Sequence, residues 1–251
     1  MTSREVARIV AKAAPAHREL LAELGIEVDS SPPEEVFVLI ERDGRLDLRP
    51  PGEAAAPGIR SVFPPDHGRV AGGRNPLVRA FGRSLGQIYD LTAGLGADAY
   101  RLAEAGHRVV GYERHPAVFA VLISGWRRDC AEGRVPAAVA QRLEFSHVES
   151  AEMLAGIDPL TSGVYLDPMY PRPRRSRALP RRELQVLRQL LGEEGDAVEI
   201  VEAARRRFAR VVVKRPHRAA PLVSGASHEI VTKLVRFDVY VNAELIGGSS
   251  S

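Results

Sequence analysis

The run Asp90 to Asp98, DLTAGLGAD, constrains this chain more than any other segment. It follows a short strand-like stretch, QIYDL (Gln87–Leu91), and opens a helical one, Asp98–Ala105, which Gly106 closes. A strand that turns through glycines straight into a helix is the first half of a βαβ unit. Glycine at such a turn lets the backbone approach a ligand with no Cβ in the way. Gly94 and Gly96 alone would equally make a tight turn. Glu113 adds context: it stands 19 residues beyond Gly94, at the end of the next strand-like run, RVVGY (Arg108–Tyr112). A carboxylate at that place accepts hydrogen bonds from ribose hydroxyls in dinucleotide sites. A solvated strand end is the plainer alternative.

The pattern continues in the same rhythm. Strands are predicted at 142–146, 163–166 and 210–214, and helices at 116–129, 181–191 and 197–207. HEIVTKLVRFDVYV (His228–Val241) reads as two more strands. Strands alternating with helices predict an α/β fold with a doubly wound, mostly parallel sheet. Residues 1–84 read differently. Pro15–Gly25 predicts a short helix ended by glycine. EVFVLIERDGRLDLR predicts a hairpin turning at Asp43-Gly44. PPGEAAAPG (50–58) is a loop, and Asp66-His67-Gly68 a further turn signal. This gives a small N-terminal α+β cap, 1–84, before a main domain, 85–246, and a flexible GGSSS tail.

Composition narrows the class. A chain of 251 residues can bury a full core. No apolar run approaches the roughly 20 residues that span a bilayer. The first twenty residues hold early charges and no apolar core of a signal peptide. The single cysteine, Cys130, excludes an internal disulfide and a cysteine metal cluster, and fits the cytoplasm. His17, His107 and His228 lack metal-ligand spacing, so no metal is expected. The formal charge is only +3, yet Arg172 to Arg218 carries thirteen Arg and one Lys against six acids. That local excess favours a polyanionic partner, although an arginine-rich composition also produces it.

The second signal separates the possible cofactors. Asp167-Pro168-Met169-Tyr170 follows the predicted strand VYL. A nicotinamide-dependent oxidoreductase on the same glycine loop has no use for it. Aryl amines are poor nucleophiles, because their lone pair is conjugated into the ring. A carboxylate and a main-chain carbonyl, here Asp167 and Pro168, can accept the two amine hydrogens and hold the lone pair toward a methyl donor. Proline stiffens the loop, and Tyr170 can stack on an extruded base. The alternative is Asp as a helix cap with Pro in the first turn.

These segments together, DLTAGLGADAYRLAEAGHRVVGYERHPAV, VYLDPMYP, RVVVKRP and IVTKLVRFDVYV, resemble the RsmJ family of 16S rRNA guanine-N2 methyltransferases. The resemblance covers roughly Gly72 to Val241, and the N-terminal part more weakly. It implies a Rossmann-like class I methyltransferase fold, S-adenosyl-L-methionine as cofactor, and 16S rRNA or the small ribosomal subunit as partner, in the cytoplasm. By position it implies cofactor contacts at Ala97 and Asp98, at Glu113 and Arg114, at Glu149 and Ser150, and at Asp167, besides Gly94 and Gly96. Ala97 stands where the family usually has Arg, and Glu149 where it often has Ser. The loop chemistry is shared with adenine-N6 methyltransferases. A non-catalytic RNA-binding module on the same fold is a third reading.

Arg172, Arg174, Arg175 and Arg177 follow the loop and are candidates to grip flanking phosphates, as are Lys214 and Arg215 at the same sheet edge. His147 reads as a structural loop histidine, and Arg205–Arg207 as a solvated helix face. Phe119 and Trp126, seven apart, read as core. No residue pattern sets an oligomeric state; a monomer is the working expectation.

Overall fold

The computed structural model describes residues 8–12, 15–53, 56–65, 75–82, 85–169, 181–192, 195–242 and 245. Tyr170, Arg172, Arg174, Arg175, Arg177 and the 66–68 turn lie outside the described residues. In chain order the first elements are β1 (Ile9–Lys12), α1 (Arg18–Glu23), β2 (Glu27–Val28), β3 (Phe37–Arg42), β4 (Arg45–Arg49) and α2 (Pro76–Phe81). Then come β5 (Gln87–Asp90), α3 (Ala97–Glu104), β6 (Arg108–Glu113), α4 (Pro116–Ala131), α5 (Ala137–Ala140), β7 (Leu143–His147) and α6 (Ser150–Met153). The last are β8 (Ser162–Leu166), α7 (Arg182–Leu191), α8 (Ala197–Arg207), β9 (Arg210–Pro216), β10 (His228–Val231) and β11 (Val235–Val241).

The chain packs into two units that interleave along the sequence. One comprises 1–63, 115–134 and 169–193; the other 64–114, 135–168 and 194–251. The sequence reading drew one boundary, after residue 84; the packing divides the chain at several places, because α4 and residues 169–193 both join the first unit. In that unit a four-stranded sheet runs β2-β1-β3-β4, with β3 and β4 antiparallel. The hairpin turns where expected, on Asp43 and Gly44, both at positive φ. The strands β1 and β2 were not anticipated; they are short, and the hydrophobic alternation that marks a strand needs more residues to show. Helix α4 is held to β4 by the Leu46 N–H, which donates to Ser124 Oγ at 3.0 Å. Gly125 permits the approach, since a Cβ there would collide with the Ser61 carbonyl. Trp126 stacks edge-on against Phe63, ring centroids 5.2 Å apart. At the end of α4 the fully buried Asp129 accepts from Arg45, from Arg134 Nε at 2.6 Å and from the Phe63 N–H at 2.7 Å.

The second unit is built on a seven-stranded sheet in the order β10-β11-β9-β8-β5-β6-β7. Strands β7, β6, β5, β8 and β9 are parallel; β11 is antiparallel to β9 and to β10. This is the doubly wound α/β sheet that the alternation predicted. Central strands are covered on both faces, so β8 (SGVYL) is buried throughout rather than alternating. Leu91, Val164, Leu166, Val211 and Val213 pack with Val201, Ala204 and Phe208 into one apolar cluster. The strand order reverses between β5 and β8. In open α/β sheets the crevice outside the carboxyl ends of strands at such a reversal is where ligands bind. The ends of β5, β6, β7, β8 and β9 thus bring Asp90, Glu113, His147, Asp167 and Lys214 to one edge.

Candidate active site

The glycine turn leaves β5 at Asp90, whose Oδ1 accepts the Thr92 N–H at 3.1 Å. Gly94 and Gly96 both have positive φ, 55° and 82°, which a side chain would strain. The turn is fixed from the neighbouring strand: the Ala93 N–H donates to the Tyr112 carbonyl at 2.9 Å, and the Gly94 N–H to Glu113 Oε2 at 3.0 Å. Glu113 is the last residue of β6 and is buried. A buried carboxylate at that strand end, beside a main-chain cradle, fits a ribose-bearing cofactor. Gly96 then caps α3 and hands the chain to Ala97 and Asp98. Ala97 offers backbone only.

Asp98 does something the sequence did not announce. Its carboxylate accepts from Lys214 Nζ at 2.7 Å, from the Tyr165 hydroxyl at 2.8 Å and from Arg101 at 3.1 Å. Burial by itself would raise its pKa, but Lys214, Tyr165 and Arg101 bring it below the ordinary carboxylate value. The same Nζ reaches Asp167 Oδ2 at 2.8 Å. Lys214, expected on a phosphate, therefore stands between two carboxylates. Burial works against its ammonium, yet Asp167 and Asp98 hold its pKa above that of a free lysine. Asp167 is raised, first by burial, then by Asp98, against the pull of Lys214. Asp90 is pushed well above the usual range, chiefly by burial and further by Asp98 and Asp167, while the Thr92 N–H and Lys214 act against it.

Asp167 directly follows β8, and its own N–H donates to Thr92 Oγ1 at 2.6 Å. The loop that carries it is thereby tied to the glycine turn. Pro168 behind it is buried. Arg215 lies on β9 but turns inward: it is buried, and its guanidinium donates to the Ala220 carbonyl at 2.6 and 3.1 Å. That hydrogen bonding closes the turn after β9 and withdraws the side chain from the phosphate role expected of it. The Arg114 guanidinium sits 2.7 Å from Asp196 and 3.8 Å from Glu149. Glu149 precedes α6, which Ser150 opens; Glu149 Oε1 is buried with no hydrogen-bond partner among the described residues. An unpartnered buried acceptor at the ligand edge fits an amine donor such as that of adenine. His147 behaves as the structural residue expected, its Nε2 3.0 Å from the Arg114 carbonyl.

Thr92, Tyr165 and the clamping role of Lys214 were missed by sequence reasoning. A lone hydroxyl or ammonium has no spacing signature, although the charged end of an apolar strand, VVVK, was a signal available for Lys214. Among the described residues no group of three or more His, Cys, Asp or Glu could hold a metal ion, and no helix is long and apolar enough to cross a membrane.

Comparison with known proteins places this geometry. The family described as "Putative SAM-dependent methyltransferase" matches residues 21–242. The ribosomal RNA small subunit methyltransferase J of Salmonella heidelberg is 38% identical over 236 residues, covering 90% of this chain and 92% of that protein. That of Edwardsiella ictaluri is 38% identical over 218 residues, 82% of this chain and 86% of that protein. The crystal structure of a SAM-dependent methyltransferase from Neisseria gonorrhoeae superposes with a TM-score of 0.71 at 29% identity, covering 93% of this chain and 95% of that one. The nicotinamide reading ends here, and the cofactor is S-adenosylmethionine. The chain belongs to the ribosomal RNA small subunit methyltransferase J family of SAM-dependent methyltransferases.

Proposed function

We propose that this protein methylates the exocyclic N2 of a guanosine in the 16S rRNA of the small ribosomal subunit, working as a monomer in the cytoplasm. The substrate class follows the name of its relatives. The observation that carries the chemistry is Asp167, fixed at the carboxyl end of β8 by Thr92 and Lys214, at the reversal of strand order.

Glu113 is placed for ribose hydroxyls, the Gly94–Gly96 turn for close backbone approach, and Glu149 for the adenine amine. When bound, S-adenosylmethionine supplies an electrophilic methyl group on a sulfonium. This chain's residues orient the nucleophile. The Asp167 carboxylate and the Pro168 carbonyl accept the two amine hydrogens, which turns the nitrogen lone pair toward the donor. Tyr170 stacks on the guanine, which leaves its helix or is already unpaired, because N2 lies in the minor groove of a duplex. No strong base is needed, since the amine becomes acidic as it is alkylated. Positioning of this kind can supply about 7–11 kcal/mol of the barrier. Arg172, Arg174, Arg175 and Arg177 grip the flanking phosphates.

The test is direct. Labelled S-adenosylmethionine is incubated with the protein and small subunits, or free 16S rRNA, from a strain lacking the enzyme, and the product is mapped. Label in one guanosine, on N2, is expected. Label on adenine, or none, refutes the reading.

A further inference from the structure

We infer that Lys214 is a positioning residue for methyl transfer, holding Asp167 ionised and turned into the site while tying it to Asp98 at the start of α3. The inference rests on the reading of Asp167 as the acceptor of the amine hydrogens.

The geometry is a two-way clamp. One ammonium on β9 donates to Asp98 Oδ2 at 2.7 Å and to Asp167 Oδ2 at 2.8 Å. Strand register puts it there: Leu166 pairs with Val213, so the next residue of each strand, Asp167 and Lys214, emerges side by side. A protonated carboxyl would donate where the amine must be accepted. Two partly buried carboxylates that share one nitrogen within 2.8 Å repel each other once that charge is removed, so one of them holds a proton to higher pH than before. The other groups facing the clamp favour Asp167 as the one that does. Asp98 keeps the Tyr165 hydroxyl from β8 and Arg101 from α3. Asp90 from β5 faces both carboxylates and so does not separate them, while the tie of Asp167 to Thr92 is through its main-chain N–H and not its carboxylate. A compact ammonium suits the clamp, since it donates in three directions from one atom, whereas a guanidinium is a planar fork.

The experiment uses the full chain with labelled S-adenosylmethionine at saturation and small subunits lacking the modification, from pH 6 to pH 9. Lys214→Met and Lys214→Gln, each checked for an unchanged fold by circular dichroism and thermal melting, are compared with Lys214→Arg, Asp167→Asn and the wild type. We expect the acid limb of kcat to move upward in both neutral variants. Below the limb the loss grows about tenfold per pH unit, and it is recovered at pH 9. KM for the subunit stays near wild type, and Lys214→Arg keeps the wild-type limb at reduced kcat. A loss equal at every pH would make Lys214 merely structural, and a wild-type profile would give it no part; either overturns the inference while Asp167→Asn remains inactive. If Asp167→Asn turns over normally, the reading of Asp167 falls and the inference falls with it. Should one neutral variant fail to fold, the other decides.

Discussion

The backbone N–H of Asp167 donates to the hydroxyl of Thr92 at 2.6 Å. That one bond joins the loop leaving β8 to the glycine turn leaving β5, so the residue proposed to orient the amine and the turn proposed to cradle the cofactor are placed together. Thr92→Val keeps the shape of the side chain and removes the acceptor. The Asp167 N–H, partly buried, then loses its partner, at a cost of about 1–3 kcal/mol. We expect that loss in stability and, in protein that is still fully folded, a fall in kcat of roughly tenfold or more. Single-turnover rates at saturating donor, beside a urea melt, separate the two.

Glu113 should govern the donor and leave the RNA alone. Its carboxylate already accepts the Gly94 N–H, and a ribose hydroxyl would add a further bond. Glu113→Ala is expected to weaken S-adenosylmethionine binding by about 1.5–3 kcal/mol, the scale of a hydrogen bond to a charged group. Isothermal calorimetry checks this. An unchanged dissociation constant would take Glu113 out of the site.

Those two residues were not equally visible in the sequence. Glu113 was legible because it closes a strand at a fixed distance from a glycine turn, and the sheet was legible because strands and helices alternate with clean periods. Asp167 was legible through its neighbours, Pro168 and the aromatic three places on. Thr92 was not, since a hydroxyl partner is chosen by three-dimensional proximity and leaves no period behind. Lys214 was read as a phosphate contact because basic residues at a ligand edge so often are. The chain has three lysines against 32 arginines, which marks Lys214 as unusual, but only the pairing of β8 with β9 shows that it faces Asp167. Arg215 was misread for a related reason: the strand runs on through Pro216, so alternation turns Arg215 to the opposite face from Lys214. The unit that takes in α4 was hidden because a helix following β6 in sequence packs on a strand 70 residues earlier, and local pattern carries no information about that distance.

In that first unit Asp129 is the residue whose loss should cost most. It is fully buried and accepts from Arg45, Arg134 and the Phe63 N–H. Asp129→Ala leaves the buried Arg45 without its carboxylate and strips the Phe63 amide. Breaking one side of a buried pair costs about 3–5 kcal/mol. Arg134→Ala removes a partner whose side chain is 41% exposed and should cost far less. Urea unfolding of both variants gives the ranking; equal midpoints would show that the Asp129 network contributes little.

Asp90 makes the opposite prediction, that a substitution stabilises. Its side chain is buried, and burial is the largest cause holding its pKa well above the ordinary value, with Asp98 and Asp167 adding to it and the Thr92 N–H and Lys214 opposing. The folded protein therefore binds this proton more tightly than the unfolded chain does. By linkage its contribution to stability is fully present below the unfolded pKa and is lost as pH rises through the folded one. Near pH 7.5, well above the unfolded pKa, this shift weighs against the fold, and near pH 3.5, below it, it does not. Asp90→Asn keeps an oxygen for the Thr92 N–H at 3.1 Å and carries no charge at any pH. Its urea midpoint should exceed that of the wild type near pH 7.5, and the difference should close toward pH 3.5. Wherever the wild-type Asp90 is ionised, the same variant should bind the cationic donor more weakly, because it removes negative charge beside the proposed cofactor site. Calorimetry run with the melts checks both halves. A variant less stable than the wild type at pH 7.5 would mean that the Asp90 charge is compensated in the fold, and one that binds the donor normally would mean that the charge serves something other than the cofactor.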